Sequence, residues 1–294
     1  MMLLYEKFAQ SPCVFSIEVF PPKRSTGTPE SLYPVLDKLA GLQPDYISVT
    51  YGAGGSEAGD DTCHIACYLK NNLNIEPLAH LTCVNADRDE VVKTLQQLRQ
   101  HDVRNILALR GDVNPDLPRK TDFVYASDLV RFIHSQGAFN VAGACYPEGH
   151  VESASLTQDL NNLTHKIQAG LSHLVTQLFF DNGSYYRFLN MARKAGYTLP
   201  VQAGVMPIIN TRQVQRTIAL SSASMPTALT KMLSKYDNDP DSLYEAGIEF
   251  AIQQIRDLII GGADGVHLYA MNNAEVAGKV YEGIADLLPE RNVS

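Results

Sequence analysis

The sequence predicts a (β/α)8 barrel of the TIM type, with extra helices between strands 7 and 8. Three observations carry that expectation. Eight short apolar runs, many rich in β-branched or aromatic residues, recur along the chain. Most begin roughly 30 residues after the one before, the length of one strand plus one covering helix. The segments between them place apolar residues at helical spacing. No strong linker divides the 294 residues, so one domain over 1–294 is expected, a size at which such barrels are single units. An open doubly wound sheet is the alternative arrangement of the same units.

The strands are read, in order, at 14–20, 46–51, 75–84, 105–109, 140–145, 173–180, 201–206 and 265–269. Among the helices, 30–42 brings Leu32, Val35, Leu36 and Leu39 to one face, and 89–101 does the same with Val91, Val92, Leu95 and Leu98. Segments 156–169 and 184–195 follow the same rule. Gly41, Gly170 and Gly196 read as C-caps. Ser127 or Asp128 is expected to cap the helix that runs through Leu129, and a helix N-terminus suits a phosphate. The stretch 207–263 is about twice the usual spacing and is broken by Pro226, Pro240 and the serines around 221–224. It holds the extra helices and would sit above the strand ends, where a barrel keeps its active site.

Apolar residues make up 45% of the chain and charged residues 19%, which excludes disorder as the dominant state. No run of about 18 apolar residues occurs, and the apolar start is too short for a signal-peptide core. A cytoplasmic location with no membrane partner is expected. With 32 acidic residues against 24 Lys and Arg, the net charge of −8 disfavours nucleic acid. A small anionic ligand needs only a few local donors and stays open. Five cysteines, an odd number, are expected to be reduced. Cys63, His64, Cys67, His80 and Cys83 form no CxxC or HExxH pattern, so no metal is expected. GxSxG is absent, and Cys145 reads as a buried strand thiol.

In a barrel the C-terminal ends of the strands face the ligand. Here they carry Glu18 and Phe20, Thr50 and Tyr51, His80 and Thr82, Arg110-Gly111-Asp112, Tyr146, Gln177, Met206 and Tyr269. Glu18, flanked by Ile17 and Val19, is expected to have a raised pKa suited to a general acid. The alternative is an ion-paired core carboxylate that fixes the barrel interior. Gly111 would let a planar or phosphorylated ligand touch the main chain, or Arg110 and Asp112 form a surface pair in a plain turn. The segment Gly52-Ala53-Gly54-Gly55-Ser56 has Glu57 where a dinucleotide fingerprint needs Gly or Ala. It reads as a glycine-rich loop beside a ligand, or as a plain flexible loop.

Seven blocks then fall into a known order: Glu18-Val19-Phe20-Pro21-Pro22, Val49-Thr50-Tyr51-Gly52-Ala53, His80-Leu81-Thr82-Cys83, Leu109-Arg110-Gly111-Asp112, Tyr125-Ala126-Ser127-Asp128-Leu129, Tyr146-Pro147-Glu148-Gly149-His150 and Thr176-Gln177-Leu178-Phe179-Phe180-Asp181. With His267-Leu268-Tyr269 added, the chain resembles the methylenetetrahydrofolate reductase family, bacterial type, catalytic barrel only. The resemblance implies a flavoprotein in which NADH or NADPH reduces FAD. The flavin then reduces 5,10-methylenetetrahydrofolate to 5-methyltetrahydrofolate by ping-pong turnover, serving one-carbon metabolism and methionine supply. It implies Glu18 as the acid that protonates folate N10, and Asp112 as the carboxylate beside flavin and pterin.

For the folate side the resemblance implies Glu18, Asp112, Gln177, Tyr269 and Asn273. For FAD it implies Thr50, Tyr51, Ala53, His80, Leu109, Arg110, Gly111, Asp112, Ala126, Ser127, Tyr146, His150, Asp159, Asn162, His165 and Lys166. His165 and Asn273 stand where the family often has arginine, and Leu233 where it has a phenylalanine near the substrate. Cys145 reads as an extra residue before Tyr146. Relatives imply self-association. Two other readings of the same residues are a flavin-independent pterin-binding methyltransferase barrel and a flavin- or folate-binding protein without reductase turnover.

Overall fold

A computed structural model describes residues 2–51, 56–112, 120–211, 213, 214, 217 and 223–289. Eight strands close a barrel: β1 Val14–Val19, β2 Tyr46–Val49, β3 Pro77–Thr82, β4 Asn105–Leu109, β5 Asn140–Cys145, β6 His173–Thr176, β7 Val201–Val205 and β8 Gly265–Leu268. Each pairs in parallel with the next, and β8 returns to β1 through Ser16 opposite His267. The doubly wound alternative is thereby excluded. Helix α1 (Leu4–Gln10) precedes the barrel. The outer helices are α2 Tyr33–Ala40, α3 Ser56–Asn72, α4 Arg88–Gln100, α5 Ala126–Ser135, α6 Leu156–Gln168 and α7 Asn182–Lys194. Then come α8 Thr227–Lys235 and α9 Pro240–Ile260 of the 207–263 excursion, and α10 Ala274–Glu282.

Strand alternation sorts each apolar run into two faces. In β1, Phe15, Ile17 and Val19 join the large cluster between strands and helices, with Leu36 and Leu39 of α2. Val14 points inward instead, into a layer with Tyr46, Leu78, Leu107, Ala142 and Val175, plugged from below by Leu4 of α1. Polar residues occupy inward positions beyond this apolar floor. Ser16, Ser48, Gln202 and His267 are each at most 1% exposed. Burying them is tolerable because they bond to one another.

Several elements depart from their expected bounds for local reasons. The 30–42 segment splits into a 3₁₀ turn, Pro29–Leu32, and α2, because Pro34 lacks the N–H an unbroken helix needs. Gly170 and Gly196 take left-handed φ values of 110° and 85° as helix stops, but Gly41 has φ −61° and the chain turns left-handed at Gln43. At the start of α5 neither expected cap is used as such. Tyr125 holds the cap position, and Asp128 reaches back so that its Oδ2 accepts from the Val124 and Tyr125 N–H groups. Phe180, Met206 and Tyr269, read as strand ends, lie just past β6, β7 and β8 and pack under the excursion with Leu229 of α8. Gly247 fixes the seat of α9. A Cβ there would lie 1.7 Å from the Ile208 carbonyl oxygen, so only glycine admits the contact. Among the described residues no helix is long and apolar enough to cross a membrane.

Candidate active site

The site has two neighbouring parts, a polar barrel mouth and a cleft beside it. At the mouth, Glu18 lies 3.4 Å from His267 Nε2, 3.5 Å from His80 Nε2 and 3.5 Å from the Ser48 hydroxyl. Behind His267 runs a chain of hydrogen bonds. The Tyr46 hydroxyl donates to the Gln202 side-chain oxygen, Oε1. Gln202 Nε2 donates to Ser16 Oγ at 2.8 Å, and Ser16 Oγ is 2.6 Å from His267 Nδ1. If Ser16 donates to Nδ1, the imidazole carries its proton on Nε2 and donates it to Glu18. In that tautomer the barrel interior sets the direction of the last bond, from His267 to Glu18.

This geometry corrects the expected raised pKa of Glu18. Burial pushes its carboxyl up. The His267 hydrogen bond, electrostatic interaction with the His80 and His267 rings and the Ser48 hydroxyl outweigh that push and hold it below the ordinary carboxylate value. The flanking Ile17 and Val19 misled the sequence argument because they face the helices, while Glu18 faces imidazoles and hydroxyls. His80 is pushed down to about 4 by burial, against the pull of Glu18. Its Nε2 is buried, faces Glu18 at 3.5 Å and has no hydrogen-bond partner among the described residues.

Other expected residues frame the mouth. The Tyr269 hydroxyl donates to the Thr176 carbonyl at 2.8 Å, and its ring meets His267 edge-on at 5.0 Å. Gln177 turns its side-chain oxygen back to the Leu178 N–H at 2.9 Å. The Thr50 carbonyl accepts from Thr62 of α3 at 3.0 Å. Tyr51 is half-buried, and burial pushes its phenol up to about 12. Gly111 has φ +82°, and a Cβ there would lie 2.9 Å from Thr82 Cβ, so the turn before Asp112 requires glycine. Asp112 is exposed in the loop after Gly111. The alternative Arg110–Asp112 surface pair does not form, since Arg110 makes a bidentate pair with Glu152 at 2.6 and 2.8 Å.

Beside the mouth, a cleft of about 670 Å3 opens between the ends of β4 and β5 and the helices α5 and α6. Its lining includes Leu109, Arg110, Ala126, Ser127, Tyr146, His150, Asp159, Asn162, His165 and Lys166, all expected on the cofactor side. Its volume falls in the range of small-molecule sites. Lys166 is half-buried and donates to the Ala144 carbonyl at 2.5 Å, and desolvation lowers its pKa. Cys145 behaves as the expected inert thiol, pushed up to about 12 by burial.

Two expected residues fall elsewhere. Asn273 caps α10, its Oδ1 accepting from the Glu275 and Val276 N–H groups at 3.1 Å, so its oxygen is already committed. Ala53 lies outside the described residues. Sequence reasoning assigned no role to Glu152, Ser16, Ser48, Gln202 or His267. The last four could have been found as polar residues at inward-facing places of apolar runs. Among the described residues no group of three His, Cys, Asp or Glu could hold a metal.

Against known proteins, the chain matches the family model of methylenetetrahydrofolate reductase over residues 4–285. It belongs to the methylenetetrahydrofolate reductase family. The 5,10-methylenetetrahydrofolate reductase of Pectobacterium carotovorum is 36% identical over 262 residues, covering 89% of this chain and 87% of that one. The Escherichia coli protein of the same name is 33% identical at the same coverage. The Arabidopsis thaliana methylenetetrahydrofolate reductase (NADH) 1 is 33% identical across 90% of this chain but only 47% of its own length. A solved Clostridium thermocellum protein, described as binding two copies of 5-methyl-5,6,7,8-tetrahydrofolic acid, shares the fold. Its TM-score is 0.61 at 13% identity, covering 97% of this chain and 99% of that one. The chain is therefore an enzyme of the methylenetetrahydrofolate reductase family on a closed eight-stranded barrel.

Proposed function

We propose that the protein reduces 5,10-methylenetetrahydrofolate to 5-methyltetrahydrofolate with electrons from NADH or NADPH, through bound FAD. The observation that carries the reading is the junction of two features. A carboxylate is wired to a fixed imidazole at the barrel mouth, and the adjoining cleft is lined by cationic donors. The donor set fits FAD. Lys166 and the first N–H groups of α5 at Ala126 and Ser127 suit a pyrophosphate, and Arg110 would join them by exchanging its Glu152 partner for the phosphate. His165 supplies less fixed charge than the arginine common in the family. When bound, FAD would serve as the hydride carrier, reduced by the nicotinamide and reoxidised by the folate in alternation.

The chain's own residues would manage the proton. Glu18, an anion at neutral pH in the open mouth, is 19% exposed. A pterin covering the mouth removes that remaining water, so the upward push of burial grows and the carboxyl takes a proton. Glu18 then delivers the proton to folate N10. The bond from N10 to the one-carbon unit breaks, and its electron pair stays on N10. The carbon becomes an iminium with N5, ready to accept hydride. His267, held by Ser16, keeps the carboxyl in one orientation throughout. Gln177 and Tyr269 lie at the ends of β6 and β8, where the folate or the nicotinamide would contact them.

Anaerobic stopped-flow on FAD-loaded protein tests the reading. Both flavin reduction by NADH or NADPH and reoxidation by methylenetetrahydrofolate are expected to reach turnover-competent rates. Reduction without reoxidation would leave a flavoprotein that is not this reductase, and a colourless protein that cannot be loaded would favour the methyltransferase alternative. For Asp112→Asn, loss of a negative charge near the flavin is expected to make its midpoint potential more positive and to raise the folate KM about tenfold. An unchanged potential removes the electronic role.

A further inference from the structure

Glu148, in the loop between β5 and α6, belongs to neither the polar chain nor the lining of the cleft. Its carboxylate joins three segments of the chain. Oε1 accepts from the Ser184 hydroxyl at 3.0 Å and from the Ser224 hydroxyl at 2.5 Å, and Oε2 accepts from the Ser224 backbone N–H at 2.7 Å. Ser184 sits in the first turn of α7, is 2% exposed, and receives a further bond from Arg187 at 3.1 Å. Ser224 follows the buried Ala223 and leads into α8.

The two sides of this junction serve different parts of the site. On one side, Ala223 and Leu229 are buried with Phe180 and Met206, and Leu178, Met225, Met232, Leu233 and Tyr269 pack against them. The 223–235 segment therefore roofs the Gln177 and Tyr269 side of the mouth. On the other side, Gly149 turns the loop at φ +90°, and Tyr146 and His150, meeting edge-on at 4.7 Å, line the cleft. Three donors converge on two anionic oxygens. A neutral amide would offer one accepting oxygen and turn an N–H₂ toward the remaining donors.

We propose that Glu148 is a positioning residue for folate reduction, fastening the 223–235 roof of the folate side to the loop that carries Tyr146 and His150. The proposal rests on the reductase reading above. It differs from the Glu18 role in that Glu148 touches no reacting atom. Its effect falls on how well the folate side is built, and so on folate KM more than on flavin reduction.

The test is Glu148→Gln in the FAD-loaded protein, with Ser224→Ala as the milder variant that keeps the backbone bond. Charge-assisted hydrogen bonds of this kind predict about a tenfold rise in folate KM for Glu148→Gln and about threefold for Ser224→Ala. The rate of flavin reduction by the nicotinamide is expected to stay within about twofold. Amide hydrogen exchange in 224–230 is expected to rise in both variants. Unchanged exchange there overturns the fastening. Equal loss in the two half-reactions overturns the assignment to the folate side. If the unmodified protein proves not to reduce methylenetetrahydrofolate, the exchange measurement still decides whether Glu148 holds the roof, so failure of the two readings is distinguishable.

Discussion

Replacing Glu18 by glutamine is expected to slow methylenetetrahydrofolate reduction by about 10²–10⁴-fold, the usual worth of a positioned proton donor. Flavin reduction by NADH is expected to stay within about twofold of the unmodified protein, because hydride transfer from a nicotinamide needs no proton from this position. Glutamine keeps the shape of the side chain and one accepting oxygen for the bonds from His267 and Ser48, so the barrel interior has little reason to rearrange. Separate stopped-flow measurement of the two half-reactions checks the result. An equal loss in both would make Glu18 the ion-paired core carboxylate of the alternative reading, a group that only holds the mouth together. A folate half-reaction unaffected by the change would remove the acid role altogether.

The same residue shows where the sequence was legible and where it was not. Alternation in the first apolar run put Glu18 on the barrel's inner face, and β1 places it there, among His80, His267 and Ser48. The sign of its pKa shift was not legible. It depends on residues at positions 48, 80 and 267, which only closure of the barrel brings together. The eight strands were legible because each is an apolar run with its own covering helix, and β4 and β5 match the expected bounds without change.

Elsewhere, the runs extend past the strand ends at Phe180, Met206 and Tyr269 because these residues are apolar for a second reason, packing under the excursion. Asn273 shows the converse error. Its place in a motif suggested a ligand contact, whereas its side chain caps α10, a use that Asn serves well at helix starts. Glu152 carried no strong signal, and Glu148 stood in a matched block without a role of its own, since a glutamate in a loop is ordinarily a solvated one. Their roles come from Arg110, Ser184 and Ser224, at distances of 36 to 76 residues along the chain.

Acidification from pH 7 to pH 5 is expected to destabilise the fold by on the order of 2–4 kcal/mol, chiefly through His80 and His173. Burial pushes His80 down to about 4 and His173 to about 3, from an ordinary value of 6.5. Above pH 6.5 both imidazoles are neutral in the folded and the unfolded chain, and neither affects stability. Below it the unfolded chain binds two protons that the folded chain refuses, so stability falls as pH drops toward those lower values and levels off beneath them. Glu18 acts in the same direction at lower pH, because its folded carboxyl is held below the unfolded value and its contribution is lost as it protonates. Urea unfolding at pH 7 and pH 5 measures the difference. His173→Phe keeps the ring packed near Phe8, 4.7 Å away in the native protein, and removes an Nε2 that has no partner among the described residues together with the Nδ1 contact to Ser172 Oγ, whose hydroxyl keeps the Val141 carbonyl as acceptor. It is expected to remove about half of the pH dependence. An undiminished dependence in that variant would assign the acid sensitivity to other groups. At neutral pH His80 is uncharged beside Glu18, and the hydrogen bonds from His267 and Ser48 hold the carboxylate in place.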